Sequence, residues 1–577
     1  MKTTNVSRRA LLKGMAAAGT GAALAGTASA QDADNTAGVQ AGDIQCAERL
    51  MGVDYTDGER AQMAGELDDY LTRLKARRAA VMLANDDAPA LTFTPFLSGS
   101  ENNPQNDGVR ISRISVSDRP GSDVDIAFAP IAKQGHWLRG GLVTSARLTD
   151  IYLERIARLN PVLNNFITPM ADTARAQAAQ ADAELAAGND RGPLHGIPYA
   201  LKDLADTQGV KTTWGAAPYQ DRIPDEDAVI VSRLREAGAV LLGKASLGAL
   251  AYGDKWFDAV TRNPWAPEEG SSGSSAGSAS ATAAGMCGFS IGTETLGSIV
   301  SPSTRCGVTG LRPTFGRVPR TGTMALCWSL DKFGPICRFT EDTALVLAAI
   351  NGADAGDASS HSHGFSYNAD FDLSALTVGY DPAWFKDATP TDQWALEQVR
   401  KSGATLREIA LPDLPYQALF TVVEAEAAAA FEDLTLSNRD DMLAWQEARA
   451  WPNTFRAARF HSAVELIQID RFRRRVMAVM DDVYNQVDML ISPNFAGSLL
   501  IITNFTGHPS LTLPLGMEER ETEALTGVAD ATSGPARRLP HTITLWGGLL
   551  GEGEMLSMGR YLEQRANFSR YRPQVAV

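Results

Sequence analysis

This chain has little material for disulfides, metal clusters or a positive surface. Its five cysteines, Cys46, Cys287, Cys306, Cys327 and Cys337, are odd in number and scattered over 577 residues, which does not describe a disulfide framework. One bridge among Cys306, Cys327 and Cys337 stays open. No CxxC or HExxH spacing occurs, so no metal is expected, and nothing in the motifs asks for an organic cofactor. His361-Ser362-His363 lies in a polar loop and reads as a solvated pair. Basic residues number 53 against 68 acidic ones, a formal net charge of -15. An acidic surface repels phosphate backbones, which excludes nucleic acid as a general partner. No block of like charges forms a binding tail and no internal repeat appears. Beyond the N-terminus, no run reaches membrane-spanning length without a charge.

What remains is ordinary globular composition, 44% hydrophobic with 51 Gly and 28 Pro, in a chain long enough for a large core. The N-terminus carries a basic head (Arg8, Arg9, Lys13), a weakly apolar Ala/Gly stretch and the small-residue site Ala28-Ser29-Ala30. That layout is an export signal, too short and too weakly apolar to span a membrane. Ser7-Arg8-Arg9 before Leu11-Leu12-Lys13 resembles a twin-arginine signal, with an ordinary secretory signal as the alternative. A mature, periplasmic or secreted protein starting near Gln31 is expected, with no stable membrane insertion once the signal is removed.

Residues 31–130 read as a helical extension and connector. Met63, Leu67, Tyr70, Leu71 and Leu74 recur at helical spacing, and Leu91 to Pro130 is rich in Pro, Asn, Asp and Ser. A second amphipathic helix carries Leu148, Ile151, Tyr152, Ile156 and Leu159 and is expected to end before Asn160-Pro161. From there short apolar runs alternate with helical patterns: "HGIPYALKD", "DAVIVSRLREAGAVLLG", "GMCGFSIGTE", "LTVGYD", "VDMLISPNF" and "SLTLPLG". Strands alternating with helices indicate an α/β protein, here as one large domain over 131–577. Asn351 to Asp372 and Glu518 to Leu539 read as polar surface loops.

The stretch Glu268 to Gly307 is crowded with Gly, Ser, Ala and Thr, the composition of a flexible linker. Its position inside the α/β pattern argues otherwise, because small residues also let backbones approach closely. Gly273-Ser274-Ser275-Ala276-Gly277 matches GxSxG, yet a nucleophile elbow needs an apolar strand before it, and "NPWAPEE" precedes this one. Ser329-Leu330-Asp331-Lys332 matches SxxK, but its KTG-like partner, Arg320-Thr321-Gly322, comes earlier in the chain instead of later.

Three ordered motifs fit more of the chain. "GPLHGIPYALKDLAD", "GSSGSSAGSASATAAG" and "GTETLGSIVSPSTRCGVTGLRPTFGRV" together resemble the amidase signature family, closely over Arg147 to Phe339 and more weakly in "LISPNFAG" and "NFTGHPSLTLPLG". The resemblance implies an α/β/α sandwich around a large mixed sheet and hydrolysis of linear amides, other than peptide bonds, by a Ser-Ser-Lys triad through an acyl-enzyme. By position, Lys202 stands for the family's lysine, Ser274 for its bridging serine and Ser298 for its nucleophile. Thr295, Leu296, Gly297 and Ser298 would supply the oxyanion-hole N–H groups.

Those residue types suit the chemistry. A serine hydroxyl needs a base, and lysine serves only when neutral, as it becomes in a dry pocket. A serine between base and nucleophile can carry a proton both ways, off Ser298 and later onto the leaving amine. Backbone N–H groups at the turn would hold the tetrahedral oxyanion, worth about 3–4 kcal/mol per donor. The plainer reading of Lys202 is an ion pair with Asp203 or Asp206, and of Ser298 a turn serine. Three departures from the family pattern stand out: Ser272 and Ala276 replace glycines, Leu296 replaces a glycine beside the nucleophile, and Val300 stands where an arginine is common, with Arg305 later. They leave the triad intact and put the substrate pocket and the anchoring of this loop in question. Trp256, Phe257, Trp265, Trp328 and Phe333 flank the motifs as core or pocket lining.

The expected partner is a small-molecule amide, with a homodimer left open. Rival readings are an exported esterase or carbamate hydrolase with the same triad, a non-catalytic binding protein on this fold, and the branch of the family that transfers ammonia to mischarged tRNA. The export signal and the acidic balance weigh against the last. Replacing Arg8 and Arg9 together by lysine is expected to trap the precursor in the cytoplasm, seen by fractionation. Unchanged export would select the general secretory route.

Overall fold

The computed structural model describes residues 38–98, 107–115, 118–525 and 532–576. The expected export signal, residues 1–30, lies outside the described residues. Two compact units divide between Met82 and Leu83. In the first, helices Ala41–Met51 and Asp57–Ala80 form a hairpin. Gly52 at φ +65 ends the first helix in the left-handed region, and Thr56 caps the second by accepting from the Glu59 N–H. Arg60 spans the pair with two 2.7 Å bonds to Glu48. The expected stripe of Leu67, Tyr70 and Leu71 lies on the long helix, 38–50% exposed.

In the second unit the sheet strands are, in chain order, β1 (Phe166–Pro169), β2 (Pro198–Lys202), β3 (Val240–Ala245), β4 (Phe289–Glu294), β5 (Thr309–Arg312) and β6 (Lys332–Cys337). They continue with β7 (Thr377–Tyr380), β8 (Thr405–Glu408), β9 (Met489–Pro493), β10 (Ser510–Glu521) and β11 (Ala536–Gly547). All eleven join one sheet in the order β8-β7-β9-β11-β10-β5-β6-β4-β2-β3-β1. It is mixed: β2 runs parallel to both neighbours, β3 and β4, while β6 and β10 pair antiparallel with theirs. Helices cover it, giving the expected α/β/α sandwich. β2 is buried along its whole length, as the continuous apolar run "PYALK" requires of a central parallel strand. It ends on Lys202, which sits in register with Ala245.

The Gly/Ser/Ala stretch is no linker. Ala276–Ala283 is a helix with all eight residues buried. Its hydroxyls are satisfied by backbone: Ser278 donates to the Ile291 carbonyl at 2.9 Å and Ser280 to that of Arg262 at 2.6 Å. A side chain on Gly277 would collide with the Asn165 carbonyl and with Ser246.

Three expectations change. The amphipathic helix runs Ser145–Leu163, through Pro161, and stops only at Asn164 in the left-handed region. Pro161 lies in the last turn, where little helix remains to disrupt. Asp123–Phe128 is helical within the stretch expected to be extended, and Ser122 caps it. The two ends of the polar segment from Glu518 to Leu539, residues 518–521 and 536–539, are the far end of the β10–β11 hairpin, with Glu519 opposite Arg538. No cysteine bridge forms: all five are free, four of them buried.

Gly277→Ala is expected to cost about 1–3 kcal/mol, the usual penalty of forcing atoms into a filled site. A thermal midpoint equal to wild type would contradict this packing.

Candidate active site

Lys202 is completely buried. Its Nζ lies 2.9 Å from Ser274 Oγ, 3.1 Å from Ser275 Oγ and 2.8 Å from Thr293 Oγ1, with the Thr293 carbonyl at 3.4 Å. Strand β2 delivers the lysine, the turn before the buried helix delivers both serines, and β4 delivers the threonine. Burial pulls the amine's pKa from 10.5 down to about 7, against the opposing pull of Asp331 and Glu294. Lys202 is therefore not the ion-paired lysine of the plainer reading. Asp203 accepts from Thr213 and faces Lys244 at 3.7 Å, and Asp206 holds Arg222 in a bidentate pair.

Ser298 follows β4 on a turn and is 8% exposed. Its carbonyl accepts from the Ser275 N–H at 3.1 Å, which ties the two serine segments together. Among the described residues no hydrogen bond joins the Ser298 and Ser274 hydroxyls. Gly297, at φ +88, allows the turn. Among the described residues, the N–H groups of Thr295, Leu296, Gly297 and Ser298 donate to no acceptor, whereas those of Ile299 and Val300 both donate to Glu294 Oε2, at 2.8 and 2.9 Å. Four successive donors without an acceptor thus lie beside the Ser298 hydroxyl.

Glu294 organises this turn, and sequence reasoning gave it no role. Its other oxygen accepts from Arg312 at 2.6 Å and from Asn504 at 2.8 Å. Arg312 continues to Thr503 Oγ1 and the His508 carbonyl. Burial opposes ionisation of Glu294, yet Arg312, the Val300 N–H and Asn504 hold its pKa at about 2. The available signal was an acid inside an otherwise uncharged motif, "GTETLGS".

The rival nucleophiles are occupied. Ser275 Oγ donates to the Thr293 carbonyl and accepts its N–H, fully buried. Ser329 donates to Glu426 and accepts from Arg473, while Lys332 turns to the Leu330 carbonyl. His508 is buried against Tyr484 with its pKa pushed down to about 3 by burial, and His541 is bound to Asp392 at 2.9 Å. Arg305 pairs with Glu269 and Glu523, so it does not take the place of the arginine absent at Val300. Trp265 donates to the Cys306 carbonyl and Trp256 to Thr261, both structural, while Trp328 and Phe333 line cavities.

The family model described as Amidase matches residues 147–508. The chain belongs to the amidase signature family. Among similar members is the glutamyl-tRNA(Gln) amidotransferase subunit from Roseiflexus sp. (strain RS-1), 42% identical over 305 residues, which cover 51% of this chain and 62% of that protein. The chain thus spans less than two thirds of that relative. The corresponding subunit from Halorhodospira halophila (strain DSM 244 / SL1) is 33% identical over 489 residues, 76% of this chain and 97% of its own. The solved structure of native peptide amidase from Stenotrophomonas maltophilia matches with a TM-score of 0.66 at 29% identity, covering 78% of this chain and 99% of that one.

In this amidase signature chain, removing the Glu294 carboxylate leaves a buried guanidinium and two N–H groups unpaired. Glu294→Ala is expected to cost about 3–5 kcal/mol in urea unfolding at pH 7. Because its folded pKa is depressed from 4.5 to about 2, Glu294 stabilises the fold above pH 4.5 and loses that contribution as pH falls toward 2. Stability should fall less steeply across that window in Glu294→Gln than in wild type; equal slopes would refute the linkage.

Proposed function

We propose that this protein hydrolyses carboxylic amide C–N bonds with Ser298 as nucleophile, Ser274 as proton relay and Lys202 as base. The observation that carries the reading is the buried Lys202 amine, 2.9 Å from Ser274 and held near pKa 7, beside four unpaired N–H groups. Neutral Lys202 takes the Ser274 proton as Ser274 takes that of Ser298, whose Oγ turns toward it. Ser298 Oγ attacks the amide carbon and the carbonyl π pair moves to oxygen, held by the N–H groups of 295–298. As the C–N bond breaks, the proton returns through Ser274 to the leaving nitrogen, since an amide anion is a very poor leaving group. Water then attacks the acyl-enzyme through the same relay and releases the acid.

Nothing in this chain's relay calls for a metal or organic cofactor, and its substrate is a small-molecule amide. Esters and carbamates could enter by the same acyl-enzyme, so they belong in the same assay. A second reading, that the chain is part of an amidotransferase, rests on the names of its curated relatives; the net charge of -15 disfavours a tRNA partner. Export is part of the proposal, on the basic and small-residue pattern of residues 8–30, with periplasmic or secreted action following from it.

Ser298→Ala should abolish hydrolysis with the fold intact, and a fluorophosphonate should label Ser298; labelling of Ser275 would favour the GxSxG reading. The rate should rise with pH through about 7 and hold on the alkaline side, as deprotonation of Lys202 requires. Lys202→Ala should lower kcat by several decades and erase that limb. Near-wild-type turnover in Lys202→Ala, with collapse in His541→Ala, would overturn the mechanism.

A further inference from the structure

Residues 83–98 form no helix or strand, yet they are pinned at both ends. The Asn85 side chain donates to the Ala325 carbonyl at 2.8 Å and to that of Ala430 at 3.2 Å, and accepts from the Ala325 N–H at 2.7 Å. Farther on, the Phe93 ring lies 3.5 Å beneath the Arg473 guanidinium and meets Phe315 edge-on, while Phe96 packs on His361. Between these anchors Asp86, Leu91 and Phe93 wall a cavity of about 210 Å³. Its opposite wall holds Arg320, Thr323, Met324 and Asp331, which also bound a narrow space reaching Thr293 and Thr295. Thr293 is the Lys202 partner, and Thr295 opens the turn of unpaired N–H groups. The cavity therefore lies next to the residues that flank Lys202 and that turn.

Size and charge both restrict what can fill it. About 210 Å³ lies below the roughly 300–1,000 Å³ of pockets that hold drug-sized molecules. Arg320 is the lone cationic side chain on the lining, and its guanidinium is already taken by two 2.9 Å bonds to Asp357 and one to the Trp328 carbonyl. Three further carboxylates have no cation within ion-pairing distance. Asp331 accepts from Thr295 and the N–H groups of Leu326 and Cys327, Glu426 accepts from Ser329, and Asp86 has no ion-pair partner among the described residues. The described lining thus carries four carboxylates, Asp86, Asp331, Asp357 and Glu426, against one guanidinium, a balance that disfavours an entering anionic group.

We infer that the segment 83–98 is a specificity wall: it closes the pocket beside the reacting centre and restricts the enzyme to amides carrying a compact group without negative charge. The inference rests on the amide-hydrolase reading above and adds its substrate class. The wall lies outside the matched residues 147–508, so the selectivity belongs to this chain's own N-terminal segment.

The test uses the full chain and two sets of amides. One varies the acyl group of p-nitroanilides as propionyl, succinyl with its free carboxylate, and decanoyl. The other places the same three appendages on the amine side of N-substituted acetamides. In one of the two sets, wild type should favour the compact neutral member at least tenfold in kcat/KM over both others. Asp86→Lys should narrow the gap to the carboxylate member about fivefold, and Leu91→Ala should narrow the gap to the long-chain member. Both side chains project from the wall, and Leu91 is 92% exposed, so neither change threatens the fold. Indifference in both sets, or gaps that neither variant moves, overturns the wall while leaving amide hydrolysis standing. Hydrolysis of no member of either set overturns the amide-hydrolase reading and the wall with it.

Discussion

A lysine amine removed from water and given hydroxyls in place of a carboxylate is the constraint on which the rest depends. A charged ammonium at full burial is costly unless paired, and among the described residues Lys202 has no carboxylate within ion-pairing distance. Burial pulls the amine's pKa down to about 7 instead, so a free lone pair becomes available as pH rises through that value. Three features serve that state. β2 runs in the parallel part of the sheet, where both faces are covered. Thr293 and the two serines approach closely enough to saturate the amine, because their segment is built of residues too small to hold them apart. The helix behind them is wholly buried, so its Ser and Thr hydroxyls must find backbone carbonyls, and they do. A composition that resembles a linker is here the composition of a fully buried helix.

The second constraint is the Glu294–Arg312 pair. A turn whose four N–H groups have no acceptor is not held by its own backbone bonds, so something else must hold it. Glu294 does so from the end of β4 by accepting the next two N–H groups, Ile299 and Val300, while Arg312 and Asn504 fix the carboxylate from the other side. At position 300 the contact is made by the backbone N–H, whichever side chain stands there. Leu296 is accommodated because it faces the apolar cluster of Leu499, Ile502 and Phe505.

Local pattern carried much of this. The central strands and the alternation of strand and helix are local, and the structure places them as the sequence indicates; it also sets Lys202 Nζ 2.9 Å from Ser274 Oγ. What escaped depended on partners distant in the chain. Glu294 meets Arg312 and Asn504 across 18 and 210 positions, and no periodicity reports such a meeting. The far end of the β10–β11 hairpin extends past the core, so its residues lose the apolar alternation that marks a strand and read as a polar loop. Its charges are paired instead, Arg520 with Glu269 and Arg537 with Glu268, which also explains two acids before the serine turn. Nothing in the sequence marked Asn85, whose amide substitutes for a backbone pairing at Ala325.

Chemistry and selectivity therefore have separate origins in the chain. Every group in the proposed relay and oxyanion turn comes from positions 202–298, on the end of β2 and on the turns that precede the buried helix and follow β4. The pocket wall comes from positions 83–98, a segment without secondary structure, fixed by one amide side chain and one aromatic stacked on an arginine. Rigid elements can hold a proton relay to a few tenths of an ångström, and a pinned loop can change its exposed residues without disturbing them. Substitution along the wall can thus redirect the same acyl chemistry to other amides, whereas substitution in the core would end it.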